Sequence, residues 1–229
     1  MISEHERRPI GNVPRGRFFG PCSGRDLPVA FELFGEAVDR FTFCDLAYND
    51  PHVTAKEAVP NGWALVSRIR GGDEAARGKT NWYSGNRPFR PSAAIEIWRR
   101  LDGSEAIVEL RCDLAQDVLE NHFASGSMAA FMHINDGTGE GGSDLWFLAS
   151  PEEASRGMDR ASRLLPELAC RLANGAVVVT DAALTDVGFR SDASFELAGR
   201  RWEYICTFPN ERLADRPLRV WRVVDISFV

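Results

Sequence analysis

The chain of 229 residues has only four histidines and five cysteines, and no two cysteines form a C-x-x-C pair. Such sparse, scattered thiols argue against a zinc ribbon or a secreted disulfide framework and fit a reducing cytoplasm. No metal site is expected. No apolar run approaches the ~20 residues of a membrane span. The first 30 residues carry Glu4, Glu6, Arg7, Arg8, Arg15 and Arg17 and hold no apolar segment of the signal-peptide type. A cytoplasmic location is therefore expected. Basic residues are outnumbered, 27 against 33, for a net charge of −6. That balance disfavours nucleic acid as a partner while leaving room for a local basic patch. Repeats and low-complexity tracts are missing too. What the chain does have is 44% apolar and 26% charged residues, enough for an ordinary core in one domain spanning residues 1–229.

Residues 1–16 read as an irregular leader, after which the pattern becomes regular. Arg17–Gly20 is a strand candidate, followed by the turn Pro21-Cys22-Ser23-Gly24-Arg25. A helix then starts near Asp26, a residue able to cap it, with Pro28 in the first turn and Gly35 as its stop. Leu27, Ala30, Phe31 and Phe34 fall at helical spacing. Arg40–Asp45 is the next strand, completing an opening βαβ. Residues 46–105 form a β-rich insertion with a strand near Trp63–Ile69 and the hairpin strand Ala93–Arg100, which turns at Asp102-Gly103 into the strand Ala106–Cys112 that follows the insertion. A helix over Leu114–Phe123 has Asp113 and Gln116 as a capping-box variant. Met128–Asn135 reads as a buried strand. A helix follows from Ser150 to about Ala173, kinked or split at Pro166 and stopped by Asn174-Gly175. Ala176–Asp181, Arg201–Phe208 and Leu218–Ile226 are the closing strands. Phe18, Phe43, Val108, Phe131 and Val178 should lie in five different strands, with Tyr204 and Val220 in an antiparallel pair.

This order, with FFGPCSGRDL after the first strand, an acid at the end of the second and LANGAVVVTD late in the chain, resembles the class I S-adenosylmethionine-dependent methyltransferases. The resemblance covers roughly residues 17–45 and 106–229. It implies an α/β fold: a Rossmann-like, mostly parallel sheet with helices on both faces, a C-terminal antiparallel strand pair and the β-rich insertion. It implies S-adenosylmethionine as cofactor, with Gly20, Cys22, Ser23 and Gly24 in the glycine turn, Asp45 on the ribose and Asp113 near the adenine. Arg17 and Phe18 stand where the family usually has an acidic residue, and Pro21 is also a departure.

Each candidate has a plainer reading beside it. The glycine turn allows close backbone approach and precedes a helix N-terminus, yet is also an ordinary strand-to-helix turn. Asp45 sits at a strand C-terminus, where open α/β sheets bind ligands, or is a surface aspartate. Asp113 serves as well as a helix cap. The loop Asp136–Ser143 holds four glycines in eight residues, with Asp136 and Glu140 as candidate catalytic acids. The alternative is a glycine-rich turn with solvated acids. His133 reads as a core histidine. Cys22, Cys44 and Cys112 lie near strand ends, where a soft-metal site competes with routine core packing.

Residues 61–101 carry a net charge of +5, with Trp63, Trp82, Tyr83, Phe89 and Trp98 interleaved among the cations. Such a segment can grip a phosphorylated or aromatic substrate, or a single strand by stacking; the alternative is a solvated hairpin whose arginines pair with the acidic remainder, or a subunit contact. The reading that follows is a methyltransferase for a small-molecule, possibly anionic or aromatic, acceptor. Its alternative is a non-catalytic Rossmann-like module that binds a nucleotide or a protein. The oligomeric state is not legible.

Overall fold

The computed structural model describes residues 10–24, 26–72, 79–81, 87–134, 161–181, 192–210 and 215–226. In chain order the elements are β1 (Arg17–Pro21), α1 (Leu27–Phe34), β2 (Arg40–Cys44), β3 (Ala64–Gly72), β4 (Lys79–Asn81), β5 (Arg87–Phe89), β6 (Ser92–Arg99) and β7 (Glu105–Cys112). They continue with α2 (Ala115–His122), β8 (Met128–His133), α3 (Ala161–Arg171), β9 (Leu172–Thr180), β10 (Phe195–Leu197), β11 (Arg200–Phe208) and β12 (Leu218–Asp225). Ten strands form one sheet in the order β10-β11-β12-β9-β8-β1-β2-β7-β6-β3, and β4 pairs with β5 as a separate hairpin.

The centre of the sheet is parallel: β7, β2, β1, β8 and β9 run together, and the strand order reverses between β1 and β8. Phe18, Phe43, Val108, Phe131 and Val178 occupy these five strands, and the closing pair β11–β12 is antiparallel. The sheet as a whole is mixed rather than mostly parallel. Both flanks, β6 and β3 on one side and β12, β11 and β10 on the other, add antiparallel strands. The insertion is the reason for the first flank, since a hairpin can extend a sheet only by reversing direction. The fold is strand-rich, with three α-helices among the described residues, fewer than the helical layers expected.

Alternation along the strands builds two cores. Phe18, Phe41 and Phe43 join Phe31 and Phe34 of α1 in one, with the Phe31 and Phe41 rings 4.7 Å apart. Phe19, Phe131 and Val178 point the other way and meet Val118 and Leu119 of α2 and Leu168 of α3. No helix among the described residues is long and apolar enough to cross a membrane.

Several local expectations need correction. Asp26 makes no side-chain cap on α1. The Asp113–Gln116 capping box does not form, because the N-cap position of α2 is Leu114 and Asp113 is engaged elsewhere. Helix α3 runs through Pro166 without splitting and ends at Arg171. Asn174-Gly175 is not its stop: both residues lie inside β9, where Gly175 takes φ +82°. The register of β9 against β8 shifts there, so the glycine serves a bulge rather than a helix terminus.

Candidate functional site

Five parallel strands point their C-terminal ends to one edge of the sheet, and in open α/β sheets that edge, at the reversal of strand order, is where ligands bind. Gly20, buried and still inside β1 just before the turn, has its space set by packing. A Cβ there would lie 3.0 Å from the Phe18 ring and 3.2 Å from Phe43. Cys22 and Gly24 take φ +47° and +41°, which turns the chain sharply between β1 and α1. Such a φ is natural for glycine and costs a cysteine about 1 kcal/mol or more.

Asp45 follows β2 directly and ties the turn in place. Its Oδ2 accepts the Gly24 N–H at 2.9 Å and its Oδ1 the Ala47 N–H at 2.8 Å. Ser23 and Tyr48, both buried, share a hydrogen bond of 2.9 Å beneath the same turn. Burial pushes the Tyr48 phenol well above its ordinary pKa, so it stays protonated. The backbone of Asp45 donates to the Arg111 carbonyl at 3.0 Å, which joins the end of β2 to β7.

Asp113 closes β7. Its Oδ1 accepts from Leu114 N at 2.8 Å and from Lys79 Nζ at 2.6 Å. Lys79 also reaches Asp117 Oδ2 at 2.9 Å. Burial alone would lower the Lys79 pKa, but the hydrogen bonds and charges of the two aspartates outweigh it and raise it. Gly20 to Gly24, Asp45 and Asp113 therefore stand at the ends of three adjacent strands, β1, β2 and β7. Asp136 and Glu140 lie outside the described residues, as do Trp82 and Tyr83.

Of the three thiols near this edge, Cys44 and Cys112 are buried core groups, while Cys22 is partly exposed. Cys44 Sγ donates to the Asp113 carbonyl at 3.0 Å and Cys112 Sγ to the Leu46 carbonyl at 3.6 Å. Burial raises the Cys44 pKa well above its usual value, and that of Cys112 to about 11. No group of metal-ligating side chains occurs among the described residues. His133 is buried in β8, as expected of a core histidine, and Asp181 is buried just past β9.

Sequence reasoning missed Lys79, Tyr48 and Asp181 as residues of this edge. Lys79 lies in a three-residue strand with no periodic signal, and its partners are 34 and 38 positions away. Among the described residues of the insertion, three other cations are tied to backbone carbonyls, while Arg90 and Arg99 are exposed. Arg68 donates to the Pro51 and Val53 carbonyls, Arg70 to those of Tyr48, Asn49 and Asp50, and Arg100 to those of Gly35 and Val38. Trp98 is buried and donates to the buried Glu96 at 2.9 Å. A cavity of about 800 Å³ lies away from the edge, at the N-terminal ends of β2 and β7, lined by residues that include Phe31, Trp63 and Arg100.

No family model and no curated protein matches the chain. Among solved structures, it is similar to the antibiotic-resistance methyltransferase Kmr, with 9% identity over 96% of this chain and 91% of that one and a TM-score of 0.38. A chain assigned as an S-adenosylmethionine dependent methyltransferase from Listeria monocytogenes matches at 6% identity over 97% of both chains, TM-score 0.40. A 16S rRNA (adenine(1408)-N(1))-methyltransferase from Catenulisporales acidiphilia, in a structure with cosubstrate S-adenosylmethionine, matches at 10% identity, TM-score 0.39. It covers 100% of this chain and 95% of its own. The expectation that disfavoured nucleic acid as a partner is corrected by the presence of an rRNA methyltransferase among these neighbours. Net charge averages over the whole surface and does not speak for one face. The chain thus has a distant likeness of fold to S-adenosylmethionine-dependent methyltransferases.

Proposed function

We propose that the protein is an S-adenosylmethionine-dependent methyltransferase whose cofactor lies along the C-terminal ends of β1, β2 and β7. The observation that carries this reading is the convergence of the Gly20–Gly24 turn, Asp45 and Asp113 at adjacent strand ends beside the strand-order reversal. The residues present suit such a ligand. Asp45 and Asp113 are strand-end carboxylates, and a ribose hydroxyl or an amino group is a donor that a carboxylate accepts. Each carboxylate oxygen has two lone pairs, so Asp45 retains acceptor capacity beyond its two backbone bonds. When bound, the cofactor would supply an electrophilic methyl group. The chain's own part would then be to hold donor and acceptor in line, which by itself supplies much of a displacement's rate.

Asp136 and Glu140 remain the candidate acids for orienting the acceptor's nucleophile. The acceptor itself would be small or anionic. A second reading, a non-catalytic nucleotide-binding or protein-interaction module, draws on one fact: both Asp45 oxygens already satisfy backbone donors. Calorimetry of the purified chain with S-adenosylmethionine and S-adenosylhomocysteine tests the first reading. Saturable binding of either supports it, and binding of neither rejects it. Binding without methyl transfer to any of a panel of small anionic and RNA acceptors would favour the second.

A further inference from the structure

The hairpin β4–β5 belongs to the insertion, yet one of its residues reaches the edge where the cofactor is placed. Lys79 spans two carboxylates, at 2.6 Å to Asp113 and 2.9 Å to Asp117. Asp117 stands in the first turn of α2, so the ammonium ties together the hairpin, the end of β7 and the start of that helix. All three side chains are largely removed from water, with 31%, 13% and 20% of Lys79, Asp113 and Asp117 exposed. An ion pair with a second hydrogen-bonded partner in this setting fixes geometry better than an exposed pair does.

The geometry at Asp113 is one-sided. Leu114 N and Lys79 Nζ both donate to Oδ1. A carboxylate held in this way by one oxygen presents the other, Oδ2, as an acceptor of fixed direction. We propose that Lys79 is a positioning residue: it orients Asp113 so that Oδ2 selects a ligand bearing an amino donor, as on the 6-position of adenine, over one bearing a carbonyl there. The proposal rests on the cofactor reading above. Its chemistry is simple: a carboxylate oxygen attracts an amino N–H and repels a carbonyl oxygen. A site built around a half-buried carboxylate therefore disfavours the analogue that lacks the donor.

The test compares S-adenosylhomocysteine with S-inosylhomocysteine by calorimetry on the full chain and on Lys79→Met, Lys79→Arg and Asp117→Asn. The native protein is expected to prefer the adenosyl ligand by about tenfold or more, the order a matched donor contributes. Lys79→Met should cut that preference to below about threefold, while Lys79→Arg, which keeps the charge, should retain most of it. If Lys79→Met fails to fold, Asp117→Asn is read in the same way, since it releases one anchor of the ammonium. Equal weakening of both ligands would mark Lys79 as merely structural and overturn the proposal. An unchanged preference would overturn it as well, with the site reading intact. Binding of neither ligand to the native protein would overturn the site reading and the proposal together.

Discussion

Asp45 accepts the N–H groups of Gly24 and Ala47, and in the function proposed above it also holds the ribose. Asp45→Ala is expected to weaken S-adenosylmethionine binding by about 1.5–3 kcal/mol, the worth of a lost charge-assisted hydrogen bond. Calorimetry measures the loss, and an unaltered affinity would detach Asp45 from the ligand. Cys22, at φ +47°, gives a prediction of opposite sign. Cys22→Gly should leave stability unchanged or raise it by up to about 1 kcal/mol in a denaturant titration, because glycine adopts this conformation without Cβ strain. Replacing Asp136 and Glu140 with their amides should alter ligand binding or turnover more than the melting temperature. Asp45 and the glycine turn were readable because each follows an apolar strand, so that position alone marks them. Lys79 was not, because its meaning comes from partners brought near by the fold.

At the scale of elements, β1, β2 and β7 share a charge cluster built around one buried carboxylate. Glu109, wholly buried on β7, pairs with Arg40 of β2 and Arg111 beside it, and lies 3.6 Å from Arg17 of β1. Thr42 adds a hydrogen bond of 3.2 Å. Removing the one carboxylate would leave three cations around a site made for four charges. Glu109→Ala should therefore destabilise by about 3–5 kcal/mol, measured by denaturant unfolding. A loss within a few tenths of a kcal/mol would mean that the cluster is solvated. The long strands were legible because five to nine apolar or alternating residues announce them. The strands β4, β5 and β10, three residues each, were not, since so short a segment has no period. Asn174-Gly175 misled for a physical reason: a glycine with positive φ serves a helix end and a strand bulge alike.

For the whole molecule, two groups give stability a pH dependence of one sign. Burial, reinforced by the charges of Arg111 and Arg17, holds the His122 pKa below its ordinary 6.5. The folded state then binds this proton less readily than the unfolded state, so stability falls as pH drops below about 6.5. For Glu109, burial alone would raise the pKa, but Arg40, Arg111 and Arg17 outweigh it and hold it below 4.5. Its contribution is complete above that value and is lost as pH falls through the lower, folded-state pKa. Thermal melts across pH 3–8 should thus show two successive declines on acidification, near these two ordinary pKa values. His122→Gln should remove the upper decline and leave the lower. A melting temperature independent of pH from 4.5 to 6.5 would contradict the assignment to His122.

The place of β1 between β2 and β8 also constrains how the chain is made. Arg17 pairs with Arg40 on one side but with Met128 on the other. During synthesis, at about 5–20 residues per second, β1 and β2 can meet within seconds of leaving the ribosome, while the opposite edge of β1 must wait for residues 128–133. For that interval the nascent chain carries an unpaired strand, RFFGP, whose two phenylalanines are wholly buried in the finished protein. Such an edge is a template for misjoining, so the interval between β2 and β8 is when this chain is most open to aggregation and to capture by a chaperone.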